Sequence, residues 1–262
     1  MTHLKSVQQL AVGCVLMVAV ARLPAQESGI PAASAQTRGS VAQLYFYTIM
    51  NQSAFEEGYR RHLRWHAAHN DQLVWYAWNI DSGSRKGLFV DSTFGTTFAG
   101  LDARPDLSGD GADFARNVAP YVSAVDIETW TLWARPSTAT PLEDRRPGTT
   151  IDVFLLQVDP EQVPSFEADV EALVGTKGDA IQLSWYRMAR GNNLPTYLLL
   201  LTRKNWADLE SAGPMLNEML AKAYASAPAQ AAEVMRHVRT IRTETWTYEP
   251  RLALIPGRPL EP

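Results

Sequence analysis

The chain has 262 residues, of which 46% are hydrophobic and 20% charged, a balance typical of folded globular proteins and unlike disordered or collagen-like chains. The formal net charge is -4, which argues against a nucleic-acid-binding surface, so no nucleic-acid partner is expected. Length alone permits one large domain or two domains of about 100–130 residues.

The N-terminus has the features of a secretory signal. Lys5 is the only charged residue before an apolar run from Leu10 to Ala21. This run is too short to span a bilayer, which takes about 20 residues, but it suits the apolar core of a signal peptide. We therefore predict a signal peptide of residues 1–25, with an alternative end at residue 35. The protein is expected to be exported, either periplasmic or secreted, with no stable membrane span after processing.

The single cysteine, Cys14, lies inside this apolar run. A mature chain that begins after residue 25 contains no cysteine, which excludes disulfides, thiol nucleophiles and thiolate metal sites. Gly13 and Cys14 resemble the end of a lipoprotein signal, but Ala11 stands where leucine is usual. Lipidation at Cys14 and an uncleaved membrane anchor are the alternatives to cleavage.

The body of the chain contains an internal repeat. The tetrapeptide Glu-Thr-Trp-Thr at 128–131 recurs at 244–247, which is an offset of 116 residues. Upstream, an offset of 108 aligns a longer stretch, in which Trp78 falls on Tyr186. Because the similar stretches follow the same order in both halves, the sequence predicts two copies of one unit.

Each copy is predicted to contain a strand, a helix, two strands in a hairpin, a second helix and a last strand. In the first copy the patterns predict strands at 43–50, 73–80, 88–94 and 124–133, and helices at 53–70 and within 111–123. In the second copy they predict strands at 151–158, 181–189, 196–202 and 240–248, and helices at 165–174 and between 206 and 238. The resulting divisions are a first unit at 41–135, a linker at 136–148, a second unit at 149–249 and an irregular tail at 250–262.

The order β-α-β-β-α-β is that of the ferredoxin-like unit, one sheet with helices on one face. The other face of each predicted sheet is rich in aromatic residues and has to be covered. We therefore predict an α+β fold of two tandem ferredoxin-like units that pack sheet to sheet.

In this element order and its repetition, over 41–135 and 149–249, the chain resembles a tandem member of the dimeric α/β-barrel superfamily. That superfamily includes small monooxygenases of the antibiotic-biosynthesis type, haem-degrading enzymes, NIPSNAP-like proteins and chlorite dismutases. The resemblance implies a pseudo-dimeric α/β barrel. It transfers no catalytic residue and no cofactor, because no motif of a named member and no haem-ligating histidine pattern is found in the chain.

The helix predicted at 53–70 carries three of the five histidines, His62, His66 and His69. At about 100° per residue these histidines share one helix face with the apolar residues, including Tyr59. A structural interpretation is that these histidines are buried or interfacial and hydrogen-bond to the backbone or to tyrosine. The alternative is a ligand-binding or acid–base site.

The repeat favours a ligand-binding or acid–base site. The local offset of 111 places Leu173 at the position of His62, so the second copy has an ordinary core residue there. The i, i+4 spacing of His62 and His66 suits metal ligation, but a third ligand would have to come from elsewhere in the chain. We therefore predict no metal site, with His62 and His66 as the candidate ligands if one exists.

A second candidate is the pair of Glu128 and Trp130, repeated as Glu244 and Trp246. Residues two apart share one face of a strand, so each carboxyl group is expected beside its indole. A buried carboxyl group in such a place would have a raised pKa, as a general acid requires. The alternatives are a carboxyl group in water at the strand end and an ion pair with Arg242 or another basic residue, and the duplication favours a structural role.

Residues 106–111 have the pattern Asp-x-Ser-x-Asp-Gly, which resembles the opening of a calcium loop. The twelfth position is Asn117 instead of a bidentate carboxylate, which argues against calcium. Asp113 is interpreted as part of an acidic start to the second helix.

Function is predicted in the first copy, where the histidine helix and the hairpin tryptophans meet. The expected ligand-binding residues are His62, His66, His69, Tyr59, Trp75, Trp78, Glu128 and Trp130. The leading hypothesis is an exported protein that binds a small apolar or aromatic ligand. The alternatives are a cofactor-free or metal-assisted enzyme of the small-monooxygenase kind and a structural, self-assembling envelope protein. A homo-oligomer is compatible with each hypothesis.

Overall fold

The computed structural model describes residues 39–174, 181–191, 195–213, 215–226 and 228–261. The predicted signal peptide lies outside these residues. The first half of the chain forms β1 (Val41–Ile49), α1 (Gln52–Ala68), β2 (Tyr76–Ile80), β3 (Phe89–Thr96), α2 (Phe98–Asp102), α3 (Leu107–Asn117) and β4 (Val122–Leu132). The second half forms β5 (Thr150–Val158), α4 (Val163–Leu173), β6 (Leu183–Arg190), β7 (Thr196–Arg203), α5 (Trp206–Ala212), α6 (Leu216–Ala223), α7 (Pro228–Arg236) and β8 (Val238–Tyr248).

The eight strands form one closed barrel with the order β1-β3-β2-β8-β5-β7-β6-β4. All the strand pairs in this barrel are antiparallel. The two predicted sheets therefore belong to one closed barrel, as the resemblance implied, instead of forming two separate layers. They join at two edges, where β2 pairs with β8 and β4 pairs with β6.

The barrel interior is filled by a core to which both halves contribute. Strand alternation divides β1 between two environments, because Leu44 and Phe46 face inward while Tyr45 and Tyr47 face the helices. Four tryptophans are fully buried, and the three in the interior core are Trp78, Trp130 and Trp246. This interior is a packed core rather than a hollow ligand site.

The helices cover the outer face of the barrel and build two further cores. In the second half, a large apolar cluster lies between the strands and α4, α6 and α7, and it includes Phe166, Val170 and Leu173. In the first half a smaller cluster lies under α1 and includes Phe55 and Tyr59. No helix among the described residues is long and apolar enough to cross a membrane.

The linker at 136–148 and the tail at 250–262 both contain residues that are buried and hydrogen-bonded to the rest of the protein. In the linker, Glu143 is buried and accepts a 2.5 Å hydrogen bond from the hydroxyl of Tyr186. Burial raises the pKa of Glu143 to about 7. In the tail, Leu254 exchanges two backbone hydrogen bonds with Trp75, each 2.8 Å long, so the C-terminal segment completes the core of the first half.

Candidate active site

A cavity of about 230 Å³ lies in the first half, between the outer face of the barrel and helices α1 and α3. Its volume is below the ~300–1,000 Å³ of pockets for drug-sized ligands, so it suits a molecule of one or two rings. The lining residues are Tyr45, Tyr47, His62, His66, Trp75, Asp91, Arg104, Asp110, Gly111, Phe114, Val125 and Ile127.

Helix α1 supplies two histidines to this cavity and turns the third away. Asn51 caps the helix by accepting a hydrogen bond from the backbone N–H of Ala54. From that start, His62 and His66 fall one turn apart on the buried face. His69 follows the last turn, is exposed and stacks on Trp65, with its Nδ1 2.8 Å from the carbonyl oxygen of Trp65. The structure therefore does not bring His69 to the cavity.

Helix α3 supplies carboxylates opposite the two histidines. Asp106 begins the helix in a left-handed conformation, with φ of 46°, and its side chain accepts a hydrogen bond from Gly109 N–H. The resemblance to a calcium loop is thus explained by helix capping. Asp110 and Asp113 follow at i, i+3 spacing and face α1. Gly58 allows α1 to approach the end of α3 closely, since a Cβ at this position would lie 1.9 Å from the carbonyl oxygen of Asn117.

Three side-chain atoms from the two helices converge at one point. Nε2 of His62 and Nε2 of His66 are 3.2 Å apart. Oδ1 of Asp110 lies 3.4 Å from Nε2 of His62 and 3.5 Å from Nε2 of His66. Two imidazoles and one carboxylate at such spacing have the composition of a transition-metal site.

Each imidazole has a second carboxylate close to its other nitrogen, and the contact of His62 with Asp113 is a hydrogen bond, whereas that of His66 with Asp71 is a short approach without hydrogen-bond geometry. Nδ1 of His62 lies 2.8 Å from Oδ2 of Asp113, and Nδ1 of His66 lies 2.9 Å from Oδ2 of Asp71. Asp71 is itself fixed by hydrogen bonds from the Leu73 backbone N–H and the Trp75 indole. Asp113 accepts from the side-chain amide of Asn117. These partners orient both Nε2 atoms toward Asp110.

Arg104 lies beside the cluster and contacts two of its carboxylates, Asp71 and Asp110. Its guanidinium donates a 2.5 Å hydrogen bond to Oδ2 of Asp110 and lies 4.9 Å from the ring centroid of Trp75. Nε of Arg104 lies 3.8 Å from Oδ2 of Asp71. Arg104 thus leaves Oδ1 of Asp110 directed at the histidines.

The surroundings of His62 favour its neutral form on balance. Burial lowers the pKa of His62 below its usual value, and His66 lowers it further, while Asp113 and Asp110 act in the opposite direction. Protonation of both rings at once is unfavourable, because two positively charged imidazoles repel each other when their Nε2 atoms are 3.2 Å apart. The Asp71 pKa is lowered on balance, since the contacts from His66 and Leu73 outweigh the raising effect of burial.

Asp91, on β3, faces the same cavity from the barrel side. It is only 6% exposed, and its Oδ1 has no hydrogen-bond partner among the described residues. Burial raises its pKa to about 7, partly offset by Tyr59, His66 and Arg104. A carboxyl group with such a pKa is suited to give or take a proton near neutral pH.

The other predicted ligand-binding residues lie in different places. Tyr59 is buried in the core beneath the cavity, stacked on Phe55. Trp75 lines the cavity, whereas Trp78 lies in the barrel interior and donates a hydrogen bond to Ser92.

Glu128 and Trp130 lie at the barrel interior, away from the cavity. The indoles of Trp130 and Trp246 donate hydrogen bonds to Glu128 and Glu244, as the face alternation predicted. Both carboxylates pair with Arg85. The structural ion-pair interpretation thus has a basic partner, Arg85, which the sequence did not identify.

Sequence reasoning missed the carboxylates and the arginine of the site. Asp110 and Asp113 were assigned to a loop and a helix start, although their spacing, with Asn117 four residues on, marks one polar helix face. Asp71, Asp91 and Arg104 carry no periodic signal, because two lie outside regular elements and one is a single acid in an apolar strand.

Comparisons with known proteins identify the fold. No family model matches the chain, and no curated protein matches it. Among solved structures, a candidate monooxygenase from Lactobacillus acidophilus NCFM superposes with a TM-score of 0.53 at 10% identity, covering 80% of this chain and 94% of that protein. A chlorite dismutase variant from Candidatus Nitrospira defluvii superposes with a TM-score of 0.51 at 11% identity, covering 82% and 93%. The chain therefore has the dimeric α/β-barrel fold, and identity this low defines the fold alone.

The cavity beside His62 and His66 does not fit a haem group. Its volume of about 230 Å³ is below the ~300–1,000 Å³ of pockets for drug-sized ligands, and haem is larger than most such ligands. A larger cavity of about 780 Å³ in the second half, at Arg203 and Lys222, has no histidine among its described lining residues. The remaining described histidine, His237, is held between Asp169 and Gln162.

Proposed function

We propose that the protein is an exported oxygenase that acts on a small, largely apolar molecule in the cavity between α1, α3 and the barrel. The observation that carries the proposal is the difference between the two halves. In the first half, His62 on α1 contacts the carboxylates of Asp110 and Asp113. In the second half, Leu173 at the equivalent position lies in an apolar cluster. Residues needed only for the fold would be expected in both halves.

The chemistry of the cluster supports an enzyme over a passive binding protein. Burying several titratable groups in contact costs stability, and such clusters are typical of active sites. Two imidazoles and the carboxyl group of Asp91 can move protons to and from a bound molecule. Most of the aromatic residues that suggested self-assembly are instead buried in the three apolar clusters inside and outside the barrel.

Oxygenation is the reaction we propose, because the cavity walls are aromatic and aliphatic around one polar cluster. The similar fold of a candidate monooxygenase agrees with this choice. Oxidation of a ring CH2 group to a carbonyl consumes one O2 and releases one water. The four electrons come from the substrate, so no separate reductant is required.

The test is incubation with 18O2 and a panel of one- and two-ring phenols and ring ketones, followed by mass spectrometry. The wild type is expected to incorporate one 18O atom into at least one member, and the His62→Leu variant is expected to lose this activity while remaining folded. Leucine is the residue found at the equivalent position of the second half, so the change in stability should stay within about 1–2 kcal/mol.

Two controls sharpen this test. His69→Gln changes an exposed histidine of the same helix and should keep full activity. Gly111→Leu should fold at least as well, because a Cβ there meets no atom within 4 Å and leucine is a better helix former. Its side chain would enter the open space at the cavity wall and reduce turnover. Equal turnover by the wild type and His62→Leu would contradict the proposal.

We also propose that the two halves are copies of one ferredoxin-like unit. The supporting observation is that the strand order β4-β1-β3-β2 of the first half recurs as β8-β5-β7-β6 in the second. In each half the first helix connects the first strand to the hairpin, as in the predicted unit.

The export proposal concerns residues 1–25 and has its own test. Protein recovered from the envelope fraction of a bacterial host is expected to begin at Gln26, or at Gln36 if the later cleavage point is used. N-terminal sequencing decides between the two. Intact Met1 on protein from the soluble cytosolic fraction would contradict export.

A further inference from the structure

We propose that His62, His66 and Asp110 bind one divalent first-row transition-metal ion, with an open coordination position toward the cavity. The inference deepens the proposed function, because the ion would lie where a substrate binds, but metal binding is measurable without any turnover.

The first argument is the geometry of the three ligand atoms, which lie 3.2, 3.4 and 3.5 Å from one another. Tetrahedral bonds of about 2.0–2.1 Å place ligand atoms about 3.3–3.4 Å apart. The point equidistant from the three atoms lies about 1.9 Å from each, so a metal ion at these bond lengths would lie just outside their plane. The triangle therefore has the size that one metal ion requires.

The second argument is the outer carboxylates. Metal-bound histidines typically present their other ring nitrogen to a carboxylate or carbonyl, which fixes the ring and increases its basicity. His62 has such a hydrogen-bonded partner in Asp113, and His66 has a carboxylate oxygen of Asp71 2.9 Å from its Nδ1, although the angle is not that of a hydrogen bond. A purely structural histidine pair would need neither the matched carboxylates nor two Nε2 atoms directed at a third ligand.

The third argument is charge. Asp71, Asp110 and Asp113 face one guanidinium, that of Arg104, which leaves two negative charges in excess. Their side chains are 2%, 16% and 12% exposed, so water compensates little of this excess. A divalent cation supplies the two positive charges that would neutralise this excess.

The fourth argument is what surrounds the open side. All three ligand residues line the cavity, whose other walls include Tyr45, Tyr47 and Phe114. Three protein ligands with a free position are the arrangement of catalytic rather than structural metal sites. Two histidines and one carboxylate are the ligand set of non-haem iron oxygenases, and zinc accepts the same donors. The unpartnered Oδ1 of Asp91 faces this cavity and can hydrogen-bond to a bound molecule.

The test is titration of EDTA-treated, full-length mature protein with Zn²⁺ and Co²⁺ by calorimetry, with the visible spectrum of bound Co²⁺ as a second signal. The wild type should bind one ion per chain, and Co²⁺ should give the visible bands of a four- or five-coordinate site. His62→Leu and Asp110→Asn should each weaken binding by at least about 100-fold. His69→Gln is the matched control and should bind as the wild type does.

The Asp113→Asn variant keeps all three proposed ligands and changes only the carboxylate that contacts Nδ1 of His62. It should weaken binding by about 10–100-fold, as loss of an outer carboxylate typically does. Circular dichroism establishes that each variant is folded. Absence of stoichiometric binding by the wild type, or wild-type affinity in either His62→Leu or Asp110→Asn, would overturn the inference. Metal binding without oxygen incorporation would contradict the proposed oxygenase and leave the metal site standing.

Discussion

A fragment of residues 37–140, expressed alone, is expected not to form a folded monomer. The interior core draws side chains from both halves, such as Phe46 and Trp78 from one and Leu155 and Trp246 from the other. Separation would expose this apolar face and leave the edges of β2 and β4 without their partners β8 and β6. Near-ultraviolet circular dichroism and size-exclusion chromatography measure the outcome.

Co-expression of the two fragments, 37–140 and 141–262, is the control for this prediction. The pair should form a soluble complex with one copy of each, because the cut falls between β4 and β5 and interrupts no strand. A first-half fragment that is monomeric, with a cooperative unfolding transition of its own, would show that the barrel interior is not needed for its stability.

Arg85→Met is expected to destabilise the protein by about 3–5 kcal/mol at pH 7, because it leaves two buried carboxylates without their cation. Arg85 lies 2.8 Å from Glu244 and 3.2 Å from Glu128, whose side chains are 0% and 4% exposed. Burial already raises the pKa of Glu128, and Arg85 now counteracts that rise. In the variant the folded-state pKa rises further, so the loss of stability should disappear below about pH 4.5 and grow as pH increases.

Urea unfolding at several pH values measures this effect. Addition of Glu128→Gln and Glu244→Gln to Arg85→Met should restore much of the stability, since glutamine accepts the same indole hydrogen bonds without a charge. Arg187→Met is the matched control. Arg187 pairs with Glu167 and lies over the Trp133 ring, but both charged side chains are about one-third exposed, so its loss should cost about 1 kcal/mol or less. Similar losses in the two variants would contradict the role given to burial.

Much of the fold could be predicted from alternation and repetition. In β1 the inward Leu44 and Phe46 alternate with Tyr45 and Tyr47, and such a pattern is legible without coordinates. The closure into one barrel was harder to predict, because the edge pairing of β2 with β8 depends on contacts between residues about 170 apart. Local patterns carry no information on such pairs.

The candidate site was predicted in part, because only some of its residues lie on a periodic helix face. His62 and His66 were identifiable from α1, and their difference from the second half pointed to the first. The third ligand, Asp110, was invisible in that pattern, because its position depends on how α3 packs on α1 at Gly58. The cation that neutralises Glu128 and Glu244 comes from a turn, where side-chain direction follows no period.

On the proposal that the two halves are copies of one unit, their presence in one chain removes a constraint that symmetry imposes. In a homodimer of identical units, every substitution appears twice, so a polar cavity in one unit implies the same cavity in the other. Here the second half keeps an apolar cluster under α4, α6 and α7, while the first half has buried charge between α1 and α3. Mutations at the candidate site therefore change only one of the two halves and leave this apolar cluster intact.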